Sequence, residues 1–386
     1  MKHAHGAHEP LLPGTTSIGI LGGGQLGRMM ASEARRMGYR IVVLDPSTRC
    51  PAGQFADEVV AGALDDDEAA LEVAHQVDVI TLDTEHVPYA LLERLEAVTP
   101  VRPSSKVLRT IQDRQTQKTF LDSISMPQAR WKPVEHVEAL RAATIEFGGE
   151  AILKARRAGY DGKGQARLRS PDDASAALAK IRHVDAVVEE VVPFTREISV
   201  VLARSAAGGV RLYPIAENVH RNHILHTTRA PAPMTDDGRR KAQDLAVTII
   251  NALDHVGVMA VEMFELADGR LLVNEIAPRT HNSGHYTYGA SATSQFEQHV
   301  RAVCGLPLGD TRMLSGAVML NLLGDLWAKG QPAWHHVLAR PEARLHLYGK
   351  DAPAPGRKMG HVLLLDDDTD RALVTAEELL SALSAG

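Results

Sequence analysis

Apolar runs alternate with amphipathic stretches through the first hundred residues. Ser17–Leu21 and Ile41–Asp45 are apolar enough for buried strands, and the positions between them, as far as Met37, follow a helical period. Val77–Leu82 is a further apolar run that follows a second helical stretch. Strands that alternate with helices favour a parallel sheet with helices on its faces. The pattern therefore predicts an N-terminal βαβ domain that ends near Pro103.

A different pattern occupies the middle of the chain, where two strands flank a basic loop with three glycines. An apolar strand ends at Lys154, residues Ala158–Gly164 form the loop, and a second strand leaves it. Backbone N–H groups in such a loop can close over a polyphosphate. The loop is not a Walker motif, because no Gly-Lys-Ser/Thr sequence opens a helix. A flexible hairpin tip is the alternative, but it leaves Lys154 without a role.

Two strands rich in β-forming residues, Val258–Leu266 and Leu271–Ile276, follow later in the chain. The dipeptide 268–269 between them is Asp-Gly, which a type I′ hairpin turn prefers. Counting back from a turn centred there places Glu262 directly opposite Glu275. Directly opposed Cβ atoms lie ~4.5–5.5 Å apart, and like charges at that distance destabilise a sheet. A compensating group is therefore expected.

A divalent cation would compensate the two carboxylates, since Mg²⁺ takes oxygen ligands and is commonly held by one or two carboxylates together with substrate phosphates. Asn274 adjoins Glu275 and offers a further oxygen. A solvated sheet face that tolerates both charges is the alternative. The polar, glycine-containing run Ala277–His285 follows directly, and ligand binding explains it better than packing does. We therefore favour a ligand site.

Residues 22–27 form a glycine-rich turn, Gly-Gly-Gly-Gln-Leu-Gly, between the first strand and the first helix. Its backbone N–H groups and the helix N-terminus would face an anion. The signal is weak by itself. It fits NAD(P) binding, a substrate phosphate, or glycine used for close packing. Asp45 would suit a ribose-binding acid, although Pro46 follows at once.

The composition is that of an ordinary globular protein. The net charge of −6 does not indicate a basic surface that would bind nucleic acid or an anionic membrane. No apolar run reaches transmembrane length, and the N-terminus lacks the apolar core of a secretory signal, so we expect a cytoplasmic protein. Cys50 and Cys304 match no metal-ligand spacing, which fits a reducing compartment. Residues 1–16 show no hydrophobic period and are predicted to form a disordered tail.

Eight motifs, taken together and in order, resemble the N5-carboxyaminoimidazole ribonucleotide synthetase family of ATP-grasp enzymes. They are GGGQLGRM, DRQTQK, KARRAGYDGKGQ, EEVVPFTRE, ENVH, MAVEMFE, NEIAPRTHNSGH and PGRKMGH. The resemblance runs from Ile18 to about Leu365, and the last two motifs in combination are highly specific. LDTEHV at positions 82–87 departs from the more aromatic YEFENV-like segment of many members.

The resemblance implies a three-domain α/β ATP-grasp fold. Residues 17–103 would form a pre-ATP-grasp βαβ domain, residues 104–193 a linker helix and the lid domain, and residues 194–386 a C-terminal grasp domain with an acceptor-phosphate loop. ATP would bind between the lid and the grasp domain.

The resemblance also implies a set of site residues. ATP would be bound by Arg114, Lys154, Gly159, Tyr160, Asp161, Gly162, Lys163, Gly164, Gln165, Glu189, Glu190, Val191, Val192, Glu197, His220, Asn274 and Glu275. Within this set, Glu189–Val192 would line the adenine. Glu262 and Glu275 would hold Mg²⁺, with Mn²⁺ as an alternative, and Lys154, Arg279 and Glu275 would be catalytic. The acceptor would meet Gln25, Glu85, Tyr160, Asp161, Arg279, Asn282, His285, Lys350 and Arg357, with the last two gripping its phosphate.

The implied reaction is the ATP-driven carboxylation of 5-aminoimidazole ribonucleotide by bicarbonate, through carboxyphosphate and without biotin, in de novo purine synthesis. The family suggests a homodimer whose product passes to a downstream mutase. Three rivals remain. A dehydrogenase would leave the hairpin carboxylates and the second glycine loop unused. An ATP-grasp ligase that activates formate, or builds a peptide-like bond, would share the ATP residues and differ at the acceptor site. A non-catalytic nucleotide sensor would lack the metal carboxylates, which are present.

Overall fold

The computed structural model describes residues 9–157 and 164–384, whose strands form three sheets. No helix in these ranges has the length and apolar character needed to cross a bilayer. The first sheet contains β1 (Ser17–Leu21), β2 (Arg40–Asp45), β3 (Glu58–Ala61) and β4 (Val79–Leu82). Its helices are α1 (Gln25–Arg36), α2 (Asp67–Gln76) and α3 (Tyr89–Glu96). The strands pair in parallel in the order β3-β2-β1-β4, which confirms the predicted parallel sheet.

Two linker helices, α4 (Ser105–Ile111) and α5 (Arg114–Ser123), lead into a small antiparallel sheet, the lid. Its strands and helices are β5 (Trp131–Val134), α6 (Val137–Glu146), β6 (Ala151–Ala155), β7 (Gln165–Leu168), α7 (Ala174–Lys180) and β8 (Ala186–Glu190). The strand order is β5-β8-β6-β7. Alternation along β6 buries Ala151, Leu153 and Ala155, the first two of them in a cluster with the lid helices, and it turns Ile152 and Lys154 to the opposite face.

The third and largest sheet is antiparallel. Its strands are β9 (Phe194–Arg204), β10 (Val210–Leu212), β11 (Ala216–Arg221), β12 (Ile224–Ala230), β13 (Gly257–Leu266), β14 (Leu271–Ala277), β15 (Ala317–Leu323), β16 (Ala343–Leu347) and β17 (Lys358–Leu365). They follow the order β14-β13-β9-β11-β12-β15-β17-β16, with β10 beside β9. The associated helices are α8 (Asp236–Ala252), α9 (Thr287–Ala290), α10 (Gln295–Val303), α11 (His335–Leu338) and α12 (Thr369–Ser384). Short 3₁₀ turns occupy Pro51–Gln54, Pro171–Asp173, Asn282–Gly284 and Gly324–Trp327.

Helix α10 joins the large sheet to the first domain. Phe296 and Val300 on this helix share one buried cluster with Ile20 and Met30 of the first domain. Leu11 belongs to the same cluster, and its N–H donates to the carbonyl of the residue that follows α10, at 2.8 Å. The predicted disordered tail is therefore wrong around this residue, and residues 1–8 lie outside the described part of the chain.

Candidate functional site

The three sheets surround a cleft of about 610 Å³. It collects most of the predicted site residues that the structure describes. These are Gln25, Glu85, Arg114, Lys154, Gly164, Gln165, Glu197, His220, Glu262, Asn274, Glu275, Arg279, Asn282 and Lys350. A chamber of about 380 Å³ adjoins the cleft and shares Glu85, Arg114 and Glu275 with it.

The hairpin β13–β14 differs from the prediction at its turn. Leu266 N–H donates to the carbonyl of Arg270, so the connection has three residues, 267–269. Gly269 has a φ of +79°, whereas Asp268 is not among the residues with positive φ. A type I′ turn needs positive φ at both central positions, so the predicted turn type is wrong. A three-residue loop with glycine in the left-handed region replaces it.

The pairing of Glu262 with Glu275 is nevertheless confirmed. Next to the turn, Met263 pairs with Val273, one position out of the predicted register. A β-bulge at Asn274 then inserts one extra residue and restores the pairing of the two glutamates. The bulge also lets the side chains of Asn274 and Glu275 both line the cleft, whereas regular alternation would send one away.

The two carboxylates repel each other at this point of the cleft, and ionisation of Glu262 is unfavourable. Burial and the charge of Glu275 raise the pKa of Glu262 above its usual range. Arg114 Nη1 lies 3.5 Å from Glu275 Oε2, and His281 Nε2 lies 3.7 Å from Glu262 Oε1. Burial and the nearby Arg279 lower the pKa of His281 to about 3, so this imidazole adds no positive charge at neutral pH. The surrounding cations therefore do not offset the burial of Glu262.

This arrangement fits a divalent cation. Oxygen atoms of Glu262, Asn274 and Glu275 line one part of the cleft. Within the described ranges no cluster of three or more His, Cys, Asp or Glu side chains is suited to a metal. Two carboxylates are nevertheless the usual protein contribution to a Mg²⁺ site whose other ligands are substrate phosphates and water.

The lid contributes Lys154 to the cleft and holds it with Glu189. Lys154 Nζ donates to Glu189 Oε2 at 2.8 Å, and Lys118 Nζ of α5 lies 3.1 Å from Glu189 Oε1. Burial opposes ionisation of Glu189, but the two lysines outweigh it and lower its pKa to about 2. The Glu189 carboxylate thus forms ion pairs with both lysines, and its predicted adenine contact stays a prediction. Lys118 is not among the predicted site residues.

Glu190, Val191 and Val192 follow at the end of β8, and none of them is among the described residues that line the cleft. Glu190 instead forms an ion pair with Arg130 at 2.7 Å. The adenine contact of these three residues stays a prediction. The next residue in the cleft is Phe194, whose ring stacks on Phe264 with centroids 4.6 Å apart.

Glu197 and His220 face each other across β9 and β11. His220 Nδ1 lies 2.5 Å from Glu197 Oε2, and both residues line the cleft. Burial opposes protonation of His220, but the bond to Glu197 outweighs it and raises the pKa of His220. The pair therefore presents a polar, hydrogen-bonded surface in the same cleft as the aromatic surface of Phe194 and Phe264.

The glycine turn after β1 does not offer its N–H groups to an external anion. Gly24 N donates to Asp83 Oδ2 at 3.0 Å, and Gly27 N donates to Asp83 Oδ1 at 2.5 Å. A Cβ on Gly24 would lie 2.5 Å from Asp83 Oδ2, so the glycine is needed for this approach. Gly23 N donates to Asp45 in turn, at 2.8 Å. The protein's own carboxylates fill the place of a phosphate, which argues against a dinucleotide site.

Glu85 and Arg279 form an ion pair across the cleft. Burial opposes ionisation of Glu85, but Arg279 outweighs it and lowers the pKa of Glu85 to about 2. Arg279 follows β14 directly, whereas Glu85 follows β4 of the first sheet. The pair therefore connects the first domain to the loop behind the two paired glutamates.

The end of the cleft nearest α1 is cationic and contains the predicted Gln25 and Lys350. Lys350 Nζ donates to Gln25 Oε1 at 2.7 Å and to the Lys358 carbonyl at 2.6 Å. Lys358 also lines the cleft. Arg357 is exposed, donates to the Ala352 carbonyl at 2.7 Å, and is absent from the lining of the described cleft. The contact of Arg357 with the acceptor phosphate stays a prediction, and Lys358 is a further cation that lines the described cleft.

Asn282 and His285 occupy different levels beneath this end. Asn282 lines the cleft and exchanges amide hydrogen bonds with Asn321, at 2.8 and 3.2 Å. His285 is fully buried and packs against the rings of Phe296 and His361. The predicted contact of His285 with the acceptor is therefore wrong in this structure, because the side chain supports the site from below.

Five predicted residues of the second glycine loop lie outside the described part of the chain. They are Gly159, Tyr160, Asp161, Gly162 and Lys163. Of the same loop, Gly164 and Gln165 line the cleft.

Known families match the chain in three consecutive segments. A ribonucleotide synthetase preATP-grasp domain matches residues 15–112, an ATP-grasp domain matches residues 119–296, and a phosphoribosylaminoimidazole carboxylase C-terminal domain matches residues 317–375. An N5-carboxyaminoimidazole ribonucleotide synthase of Brucella melitensis is 48% identical over 354 residues, which cover 91% of this chain and 96% of the relative.

Solved structures agree over nearly the whole length. The ADP complex of an N5-carboxyaminoimidazole ribonucleotide synthetase is 41% identical, with a TM-score of 0.91 over 96% of this chain and 97% of that one. The Aspergillus clavatus synthase with ADP and 5-aminoimidazole ribonucleotide is 33% identical, with a TM-score of 0.90 over 97% of this chain and all (100%) of that one. The chain belongs to the N5-carboxyaminoimidazole ribonucleotide synthase family of ATP-grasp ligases.

Proposed function

We propose that this protein uses ATP and bicarbonate to carboxylate the amine of 5-aminoimidazole ribonucleotide, which yields N5-carboxyaminoimidazole ribonucleotide for purine synthesis. One observation carries the proposal beyond family membership. The cleft joins a paired-carboxylate region, beside Lys154 and Arg114, to a cationic region formed by Lys350 and Lys358 next to Gln25. We call the first the nucleotide end and the second the acceptor end.

At the nucleotide end, Arg114 and Lys154 are the cations that would meet ATP phosphates, with Gly164 and Gln165 at the edge of the covering loop. Stacked Phe194 supplies an apolar surface for a base. The hydrogen-bonded Glu197 and His220 are suited to ribose hydroxyl groups.

Glu262, Glu275 and Asn274 would hold Mg²⁺ or Mn²⁺. Such an ion, when bound, neutralises the charge that develops on a transferring phosphoryl group. The protein's own contribution is to place both carboxylates on the same wall of the cleft, and the bulge at Asn274 directs the side chains of Asn274 and Glu275 together into it.

At the acceptor end, Lys350 and Lys358 are suited to the ribonucleotide phosphate, and Gln25 orients Lys350. Arg279 lies between the two ends and is held there by Glu85. It is suited to the bicarbonate and to the carboxylate formed from it. Asn282 completes the wall.

The proposed reaction has two successive steps, phosphoryl transfer and then carboxylation of the acceptor. A bicarbonate oxygen attacks the γ-phosphorus of ATP, the bond to the ADP oxygen breaks, and carboxyphosphate forms. The acceptor amine then attacks the carboxyphosphate carbon, the carbon–oxygen bond to phosphate breaks, and the nitrogen loses a proton. Positioning and electrostatics do most of the catalytic work. Because the activated carbon is handed over directly, biotin is not required.

The assembly and the cellular setting belong to the same proposal. We propose a homodimer that passes its product to a mutase. The cytoplasm is the proposed location, and the two free cysteines, Cys50 and Cys304, fit a reducing compartment.

Product analysis tests the proposal. Purified protein is incubated with ATP, Mg²⁺, bicarbonate and 5-aminoimidazole ribonucleotide, and ADP, phosphate and carboxylated product are quantified with each component omitted in turn. We expect product only when all four are present, incorporation of label from ¹³C-bicarbonate, and no product when formate replaces bicarbonate. Product formation from formate, or ATP turnover that ignores the acceptor, would overturn the proposal.

A further inference from the structure

A fully buried histidine on α10 connects the first domain to the large sheet. His299 Nδ1 accepts a hydrogen bond from Val258 N–H at 3.0 Å, and His299 Nε2 lies 2.6 Å from Thr81 Oγ1. Thr81 belongs to β4, whereas Val258 is the second residue of β13. All three residues are buried.

The geometry allows a single tautomer. Because a backbone N–H can only donate, Nδ1 must carry the lone pair, and the proton must sit on Nε2 and point at Thr81. Gly257 has a φ of +124°, and a Cβ at this position would lie 2.9 Å from the imidazole Cε1. The chain therefore uses a glycine at the start of β13 so that the ring can approach the backbone.

Thr81 departs from the pattern of its strand. Val79 lies on the same side of β4, in the apolar cluster that contains Phe296 and Val300 of α10. A hydroxyl at position 81 costs desolvation unless it is paired, and His299 is its partner. The threonine is thus explained by a contact across the domain boundary.

The two strands tied by this ring lead to different parts of the reaction site. β4 leads directly to Asp83 and Glu85, and β13 carries Glu262. On the basis of the proposed function, we propose that His299 is a positioning residue that fixes β4 against β13 and so keeps phosphoryl transfer coupled to carboxylation of the acceptor. A shift of one strand against the other separates the amine from the activated carbon, and water then consumes carboxyphosphate.

Two variants remove the hydrogen bond between Thr81 and His299, each by replacing one of the two partners. Thr81→Val removes the hydroxyl and keeps the shape, whereas His299→Asn retains a group that can accept from Val258 but does not reach Thr81. Thr99→Val is the matched control, because Thr99 is equally buried and donates to the Val77 carbonyl at 3.1 Å within the first domain. The measurement is carboxylated product formed per ADP released, together with the KM for ATP.

We expect the ratio to fall at least two-fold in Thr81→Val and in His299→Asn, with the KM for ATP unchanged and the ratio of Thr99→Val equal to that of the wild type. The double variant should be no worse than the poorer single variant, because both cut one bond. Additive effects, or a wild-type ratio in Thr81→Val, would overturn the role of His299. Wild-type product formation tests the proposed function, whereas the variant-to-wild-type ratio tests His299, so the two failures are distinguishable.

Discussion

Removal of the Glu275 charge at the nucleotide end is expected to affect stability and activity in different ways. Glu275 repels Glu262 across the strand pair and raises its pKa, so Glu275→Gln removes a repulsion from the protein. We expect unchanged or higher thermal stability without ligand, and a loss of turnover by roughly 100-fold or more, the scale at which one preorganised electrostatic group acts. Asp268→Asn at the hairpin loop is the control and should retain activity. Wild-type turnover of Glu275→Gln at saturating Mg²⁺ would disprove the metal assignment.

The acceptor end offers a comparison between three neighbouring cations. Lys350→Met and Lys358→Met should each raise the KM for 5-aminoimidazole ribonucleotide about ten-fold or more, because a charge-assisted contact is worth ~1.5–3 kcal/mol and a decade is ~1.4 kcal/mol. Arg357→Met should change it little, since this side chain is exposed outside the cleft. Steady-state kinetics with varied acceptor at saturating ATP measure the three values. A rise confined to Arg357→Met would reverse our assignment.

The different positions of Arg357 and Lys358 show what a motif omits. The sequence identifies a cationic run before β17, but it does not fix which residue of the run begins the strand. Lys358 is the first residue of β17 and lines the cleft, whereas Arg357 precedes the strand and bonds to Ala352. For His285 the missing information was depth, because a histidine that ends a polar loop can lie either in a site or beneath it.

The hairpin β13–β14 illustrates how far an element can be predicted. Strand propensity and the Asp-Gly dipeptide located both strands to within one residue at each end. The assumed turn was one residue too short, and the bulge at Asn274 was not expected. These two deviations cancel at Glu262 and Glu275, so the pairing that mattered was correct although the path to it was not. Bulges have no reliable sequence signal, because they depend on what the extra residue faces.

The lid sheet contains an ion-pair cluster that no local sequence pattern predicts. Lys118 comes from α5, Lys154 from β6 and Glu189 from β8. These three residues come together only when α5, β6 and β8 pack against one another. Lys118 was missed because a lysine on a helix is usually solvated, whereas this one is buried.

This cluster gives a pH-dependent prediction. The pKa of Glu189 falls from 4.5 to about 2 on folding, so its contribution is fully present above about pH 4.5 and is lost as the pH falls through 2. At ~1.4 kcal/mol per pKa unit the contribution is roughly 3 kcal/mol. Glu189→Gln should therefore destabilise the protein at pH 7 by roughly this amount, and the difference should shrink towards pH 2.

Urea unfolding at several pH values measures the effect. Glu150→Gln is the matched control, because Glu150 precedes β6 and forms an exposed pair with Arg167 at 2.7 Å. Exposed pairs contribute ~0–1 kcal/mol. Equal losses in the two variants at pH 7 would contradict the buried role of Glu189.

Across the whole molecule, the site exists only where three sheets meet. The parallel sheet, the strands that flank the second glycine loop and the hairpin β13–β14 were each predicted from their own patterns. Their mutual placement followed from family resemblance, because apolar periodicity carries no information on which domain faces which. The cross-domain bonds, such as Glu85 with Arg279, are therefore the part of the site that the residues alone did not reveal.

The Glu85–Arg279 bond provides the last prediction. Glu85→Gln removes the ion-pair partner of the largely buried Arg279 guanidinium, and the loop after β14 is then free to shift. We expect a lower kcat and a higher KM for the acceptor, with the KM for ATP unchanged. Because Arg279 holds the pKa of Glu85 at about 2, this pair should cause no change in activity between pH 5 and 9 in the wild type. Glu93→Gln is the control, since Glu93 on α3 forms an exposed pair with Arg109 on α4 and its replacement should leave all three constants unaltered. A Glu85→Gln enzyme whose only defect is a raised KM for ATP would show that the pair serves the nucleotide end, and the division of the cleft proposed above would have to be redrawn.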